Sequence, residues 1–168
     1  MTLSEMLLPE FEQEMKYTRS VIERVPEAKF DWRPHDKSYT MHDLMVHVSN
    51  LPTWGEITLN RDSFDMAPVD GGPVRAAPVN SVEEALARFD ENVQRTRAAL
   101  EEASDATFKK PWTLLASGHE IFTLPRLPVF RSFFMNHLIH HRAQLGVYLR
   151  LCDVPLPQIY GPTADEPS

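Results

Sequence analysis

Apolar residues recur at helical spacing in four proline-free windows of the chain. In each window the apolar positions lie three or four residues apart, which is the period of a helix and not of a strand. The windows are residues 10–25, 35–51, 79–110 and 129–154. Proline disrupts helix interiors, and most of the 14 prolines lie between these windows. The pattern therefore predicts four helices, at about residues 2–25, 41–60, 81–103 and 128–152.

Local signals sharpen the helix boundaries. Thr40 with Asp43, and Ser81 with Glu84, have the spacing of a capping box and mark the starts of the second and third helices. Pro52 lies inside the second predicted helix. Because proline has no amide hydrogen to donate to the preceding turn, we expect a kink or a short break there.

Long irregular connectors separate the predicted helices. They cover residues 26–39, 62–80 and 105–128, and the last combines aromatic and β-branched residues around Ser117-Gly118, consistent with either a small hairpin or an ordered loop. Connectors of this length permit crossovers between helices that are not neighbours. A length of 168 residues suits one domain. The sequence thus predicts an all-α fold, a four-helix bundle with long crossover connections, as a single domain over residues 1–168.

Composition narrows the classes of function. The chain is 42% hydrophobic, enough for a core, and its net charge of −7 disfavours nucleic-acid binding, which needs clustered basic residues. No apolar run has membrane-spanning length, and the N-terminal glutamates are unlike a secretory signal, so we expect a soluble, cytoplasmic protein with no membrane partner. Seven histidines stand against one cysteine, Cys152, which excludes a thiolate cluster and an intrachain disulfide.

Three histidines fall on helix faces that can converge. His137 and His141 are four residues apart and share the apolar face of the fourth helix, a spacing that lets two imidazoles hold one metal ion. His47 lies in line with Leu44 and Leu51 on the core face of the second helix. A third imidazole from a facing helix would complete a three-nitrogen site. The alternative is three core histidines that each find a separate hydrogen-bond partner.

Several motifs along the chain are similar to those of a known family. They are Phe30-Asp31-Trp32-Arg33-Pro34, Tyr39-Thr40 leading to Leu44–His47, His137-x-x-x-His141-Arg142-Ala143-Gln144-Leu145, and Val154-Pro155 with Tyr160-Gly161-Pro162. Over nearly its whole length the chain resembles the DinB family, also described as YfiT-like metalloenzymes. Ala143 departs from the glycine that is common in the family. The resemblance implies a homodimeric four-helix bundle that binds one divalent metal ion, nickel or zinc, through His47, His137 and His141.

The resemblance also suggests a chemistry. It implies a metal-dependent enzyme that acts on small molecules, either a thiol-dependent S-transferase with a low-molecular-weight thiol as cosubstrate or a hydrolase. Neutral imidazoles leave the full charge on the ion, which makes it a good Lewis acid. The alternative is a non-catalytic, dimeric metal-binding bundle of a stress response. Because the chain has a single cysteine, we expect nitrogen ligands and expect any reacting sulfur to arrive with the cosubstrate.

Further residues are candidates for supporting roles. Asp43 and Gln144 lie one turn from the histidines and could orient an imidazole, or could be solvated side chains. Trp54 and Tyr148 could line a pocket, or could belong to the core. We expect Arg142 to pair with a carboxylate on another helix, with substrate-anion binding as the alternative.

Overall fold

The computed structural model describes residues 1–166, and most of them are helical. The helices are α1 (Leu3–Ile22), α2 (Met41–Asn50), α3 (Pro52–Asn60), α4 (Val82–Glu102), α5 (Asp105–Lys109), α6 (Arg126–Val129) and α7 (Asn136–Leu151). A π-helical turn, Phe130–Met135, joins α6 to α7, and a 3-10 turn covers Glu27–Lys29. The strands are β1 (Ser63–Asp65), β2 (Pro111–Ala116) and β3 (His119–Pro125). The four predicted helices correspond to α1, to α2 with α3, to α4, and to α6–α7.

The long helices form a bundle in which α1 and α2, although consecutive in the chain, are not close neighbours. Both α1 and α2 pack against α4 and α7, whereas the direct contact between α1 and α2 is small. The connection from α1 to α2 therefore crosses the bundle, as expected for a bundle with long crossover connections. The core is filled by fully buried apolar side chains from every long helix, among them Phe11, Leu44, Phe89, Phe134 and Leu145. No helix within residues 1–166 combines the length and the apolar character that a membrane crossing needs.

The predicted capping residues begin their helices. The Thr40 hydroxyl accepts the Asp43 amide hydrogen at 3.0 Å at the start of α2. The Ser81 hydroxyl accepts the Glu84 amide hydrogen at 3.1 Å at the start of α4. The Glu84 carboxylate accepts from the Asn80 amide at 2.7 Å, one residue earlier than a regular capping box requires.

The break expected at Pro52 is present, and a side chain from α4 bridges the first turn of the helix that follows it. Helix α2 ends at Asn50 and α3 begins at Pro52. The fully buried Thr96 hydroxyl donates to the Pro52 carbonyl and accepts the Glu56 amide hydrogen at 3.1 Å. In a regular helix that amide would donate directly to the carbonyl four residues earlier. The inserted hydroxyl therefore satisfies both backbone groups and ties α3 to α4.

Gly55 permits the close approach of α3 to its neighbours. A Cβ atom at this position would lie 2.5 Å from Thr96 Cγ2 and 2.9 Å from the Phe134 ring. Only a residue without a side chain fits between α4 and the π-helical turn. The start of α3 is thus held against both elements, and this places Trp54 beside α7.

The expectation of an all-α fold is wrong, because a three-stranded sheet accompanies the helices. β2 pairs with β3 antiparallel and with β1 parallel. Of the two alternatives for the third connector, the hairpin is present, and it turns at Ser117 and Gly118 with φ of 53° and 76°. The strands form because they cover a second apolar cluster, in which Trp112 and Leu114 of β2 pack with Ile57 of α3.

Candidate metal centre

The packing of α2 against α7 brings the three predicted histidines together. His141 Nε2 lies 2.9 Å from His137 Nε2, and His47 Nε2 lies 3.5 Å from the same atom. One nitrogen from each imidazole falls within 4.8 Å of the others. Ring nitrogens this close repel one another unless a proton or a cation lies between them. The three nitrogens are therefore close enough to hold one metal ion, and the histidines are not satisfied by three separate partners.

Burial keeps these imidazoles neutral. All three side chains are partly buried. Burial, together with the neighbouring His141 and His137, lowers the pKa of His47 to about 4. Burial also lowers the pKa of His137 and of His141, against opposing hydrogen bonds to Phe133 and Gln144. At neutral pH each ring therefore has a lone pair available, which is the form that binds a metal ion.

Gln144 fixes the orientation of one imidazole. His141 Nδ1 and Gln144 Oε1 are 2.7 Å apart. Because an amide oxygen only accepts, Nδ1 carries the proton and the lone pair lies on Nε2, which faces the cluster. Of the two roles considered for Gln144, the structure therefore supports a contact that orients an imidazole.

Asp43 does not reach the histidine cluster. Its Oδ1 atom lies 3.5 Å from His42 Nδ1, and its side chain is 59% exposed. The residue belongs to the first turn of α2, where the positive end of the helix dipole and water stabilise a carboxylate. Of the two roles considered for Asp43, the structure supports the solvated charge.

Aromatic rings flank the histidines on two sides. Trp54 lies edge-on to His137 with ring centroids 5.8 Å apart, and it packs on Phe133 at 4.3 Å. Tyr39 stacks on His47 at 5.9 Å with an interplanar angle of 23°. Trp54 therefore borders the site, as the sequence suggested. The rings therefore cover two sides of the histidine cluster.

Tyr148 acts on the site through Tyr39. Its hydroxyl donates to the Tyr39 carbonyl at 3.2 Å, and its ring packs edge-on against Trp32 at 5.5 Å. Tyr148 itself is 8% exposed and belongs to the core. It supports the segment that carries Tyr39.

Sequence reasoning missed two aromatic residues of the site. Tyr39 precedes the capping residue of α2, and no spacing rule indicates that its ring would stack on His47. Phe133 lies four residues before His137 and could have been found by that spacing, but it belongs to a π-helical turn that helical periodicity does not reveal. Such turns are frequent at functional sites, and here the turn ends at Met135, two residues before His137.

The donor set suits a divalent transition metal. Within residues 1–166 the histidine cluster is the one group of three or more potential ligand side chains, and it contains no carboxylate or thiolate. Three imidazoles suit zinc and nickel, whereas magnesium and calcium prefer oxygen. Three ligands on one side leave further coordination positions for a small molecule.

Comparisons with known proteins agree with this fold. The DinB superfamily model matches residues 10–145. A DinB-like protein from Bacillus subtilis superposes with a TM-score of 0.69 and 14% identity, covering 92% of this chain and 97% of that one. Another, from Bacillus cereus, has a TM-score of 0.71 and 18% identity, covering 95% and 98%. A search of curated proteins finds no match. The DinB-like fold is confirmed, and the chain belongs to the DinB superfamily.

Proposed function

We propose that the chain binds one divalent metal ion, nickel or zinc, through His47, His137 and His141, and is a metal-dependent enzyme that acts on small molecules. The convergence of the three Nε2 atoms is the observation that supports this proposal. A bound ion would supply Lewis acidity to a water or a thiol. The three neutral imidazoles would hold the ion without reducing its charge.

The surrounding residues have positioning roles in this proposal. Gln144 keeps the His141 lone pair on Nε2, directed at the other two imidazoles. Tyr39 and Trp54 limit the water around the site and offer flat apolar surfaces to the carbon part of a substrate. The pKa values of the histidines are lowered, so the site stays neutral at physiological pH and receives a metal ion without first losing protons.

Thiol transfer suits these residues better than hydrolysis. Water is a much weaker acid than a thiol, and hydrolytic metal sites commonly use a carboxylate as general base. The ligand cluster consists of histidines, and Asp43 contacts His42. A thiol, with an ordinary pKa of about 8.5, needs less assistance. Cys152 lies at the end of α7, so a low-molecular-weight thiol cosubstrate would supply the sulfur.

A non-catalytic metal-binding bundle is the second candidate. A structural ion is usually enclosed by four protein ligands, whereas the cluster here has three, which favours the enzyme. From the family resemblance we also propose a homodimer, and from composition and charge a cytoplasmic protein that binds neither nucleic acid nor membrane. Sedimentation analysis tests the dimer. Binding of duplex DNA at physiological salt would contradict the inference that the net negative charge disfavours nucleic-acid binding.

Metal content and turnover test the proposal together. Elemental analysis and titration should find about one nickel or zinc ion per chain, as a three-histidine site implies. The double variant His137→Ala/His141→Ala should lose the ion, whereas His35→Ala, which removes an exposed histidine outside the cluster, should retain it. No uptake by the parent protein, or equal uptake by the double variant, overturns the metal site.

Turnover distinguishes the two candidate functions. The metal-loaded protein is assayed with a panel of electrophiles and low-molecular-weight thiols, and with hydrolysable esters and amides. Metal-dependent loss of free thiol supports the transferase, and thiol-independent hydrolysis supports the hydrolase. Stoichiometric metal binding without turnover in either assay favours the non-catalytic bundle.

A further inference from the structure

A cavity of about 350 Å³ lies against α7, away from the histidine cluster. It is partly open to solvent and is bordered by Val21 of α1, by α7 and by the chain that follows α7. Its lining is mainly apolar and includes Val21, Ile139, Leu156, Pro157 and Ile159. Ligand sites in proteins occupy about 300–1,000 Å³ and are lined in this way, with few polar groups. The volume places this cavity at the small end of that range.

The charged groups beside the cavity compensate one another. Arg142 lines the cavity, and its Nη1 donates to Glu14 Oε2 at 2.6 Å, with the two side chains 3% and 8% exposed. Arg142 Nη2 donates to the Tyr160 hydroxyl at 2.7 Å, and that hydroxyl donates to Glu14 at 2.8 Å. Tyr160 is 66% exposed, but partial desolvation of its hydroxyl and the contact with Glu14 raise its pKa, which keeps the phenol neutral. The group as a whole carries no net charge.

This arrangement decides the role of Arg142. Of the two roles considered from the sequence, the structure supports pairing with a carboxylate on another helix, here Glu14 of α1. A ligand with its own carboxylate would have to compete with this buried ion pair, and separating such a pair leaves an uncompensated charge. The cavity therefore favours an uncharged ligand.

Small residues of α7 keep the cavity open. Ala143 and Gly146 both line it, one helical turn apart. A Cβ atom built at Gly146 meets no atom within 4 Å, so there is free space in front of this part of the helix. A larger side chain at position 146 would fill the cavity without displacing the backbone.

The wall opposite α7 is held in place by the bundle. Arg24, just after the end of α1, donates to the Pro155 carbonyl at 3.0 Å and pairs with Glu166. Arg150 of α7 pairs with Asp165. The chain after α7 is therefore attached to α7 and to the segment that follows α1, and the cavity is preformed. Preformed sites avoid the entropic cost of ordering a loop on binding.

We propose that this cavity is a binding site for a small uncharged apolar molecule. The apolar lining supplies the affinity, and the compensated Arg142–Glu14–Tyr160 group excludes charged ligands. The site does not include the metal-binding histidines. Its occupancy therefore does not depend on the function proposed above.

Titration with 1-hexanol, followed by protein amide chemical shifts, tests this site. We expect saturable shifts in residues 139–146 and 156–163, and weaker binding of hexanoate than of 1-hexanol. The double variant His137→Ala/His141→Ala should bind 1-hexanol as the parent does, so failure of the metal site would leave this result unchanged. Absence of saturable shifts, shifts centred elsewhere, or hexanoate binding as tight as hexanol overturns the proposal.

Two substitutions at one position provide the matched comparison. Gly146→Leu should fill the cavity and weaken 1-hexanol binding by about tenfold or more, while Gly146→Ala should bind within about twofold of the parent. Circular dichroism checks that both variants fold. The chemical-shift titration of the parent protein tests the site even if a variant does not fold. Parent-like binding by folded Gly146→Leu overturns the proposal. The proposal is also overturned if the parent protein is a dimer that does not bind 1-hexanol and the Gly146→Leu variant is a monomer. In that case a second copy of the chain covers the cavity.

Discussion

The hydrogen bond between His141 and Gln144 gives the most direct test of how the metal centre is built. Gln144→Leu removes the acceptor of the His141 Nδ1 proton. Gln144 is exposed on α7, and leucine is a good helix former, so the fold should be unaffected. Without the acceptor, the imidazole can rotate or place its proton on Nε2, where it would block the lone pair.

The expected loss follows from the geometry of this bond. The Nδ1–Oε1 distance of 2.7 Å is short for a nitrogen donor. Ligation of a cation makes the imidazole a stronger donor, and hydrogen bonds to charged groups contribute about 1.5–3 kcal/mol. Because Gln144 is exposed to water, we take the lower value, which corresponds to about a tenfold weaker metal affinity. Substitution of such supporting residues generally costs about 10–100-fold.

Competition with a chromophoric zinc chelator measures this effect. Gln144→Glu keeps an acceptor oxygen and should bind zinc at least as tightly as the parent protein. Gln94→Leu makes the same substitution at an exposed position of α4 and should leave the affinity unchanged. A Gln144→Leu affinity within about twofold of the parent refutes the reasoning. Equal losses in the Leu and Glu variants would do so as well.

Three further predictions concern stability. Thr96→Val leaves two buried backbone groups at the start of α3 without a partner, and it should lower the free energy of unfolding in urea by about 2–4 kcal/mol. Thr58→Val, equally buried but with a hydroxyl that donates within its own helix, should cost about 1 kcal/mol or less. Gly55→Ala forces a Cβ against Thr96 and should lower the free energy of unfolding by about 1–3 kcal/mol, despite the helix propensity of alanine. Thermal unfolding should show a lower midpoint temperature. Because the pKa of His47 falls from 6.5 to about 4 on folding, the unfolded chain binds more protons in that range. The metal-free protein should therefore lose stability as the pH falls from 6.5 to 4, and His47→Ala should lose less.

Distinct results would contradict each of these expectations. Equal costs for the two threonine variants would mean that the inserted hydroxyl does not stabilise the first turn of α3. A more stable Gly55→Ala protein would show that α3 and α4 can separate at no cost. Identical pH dependence in the parent and His47→Ala would show that the fold does not disfavour the protonated imidazole.

The sequence determined the features that depend on neighbours within one helical turn. Periodic apolar positions located the long helices, and Thr40 and Ser81 marked two of their starts because capping is a contact over three residues. Pro52 marked the helix break because proline has no amide hydrogen to donate to the preceding turn, whatever its surroundings. His137 and His141 were placed together for the same reason, since residues four apart share a helix face.

The tertiary structure alone decided which side chains meet across the bundle. His47 joins the other histidines because α2 packs against α7, and Tyr39 and Trp54 flank them because of the connector and the kink at Pro52. Asp43 had favourable spacing, but its carboxylate stayed in water, where its charge is solvated. Only the family resemblance led us to expect that the three histidines bind the same metal ion. Spacing along the chain carries no information about the rotation of one helix relative to another, which is set by close contacts such as that at Gly55.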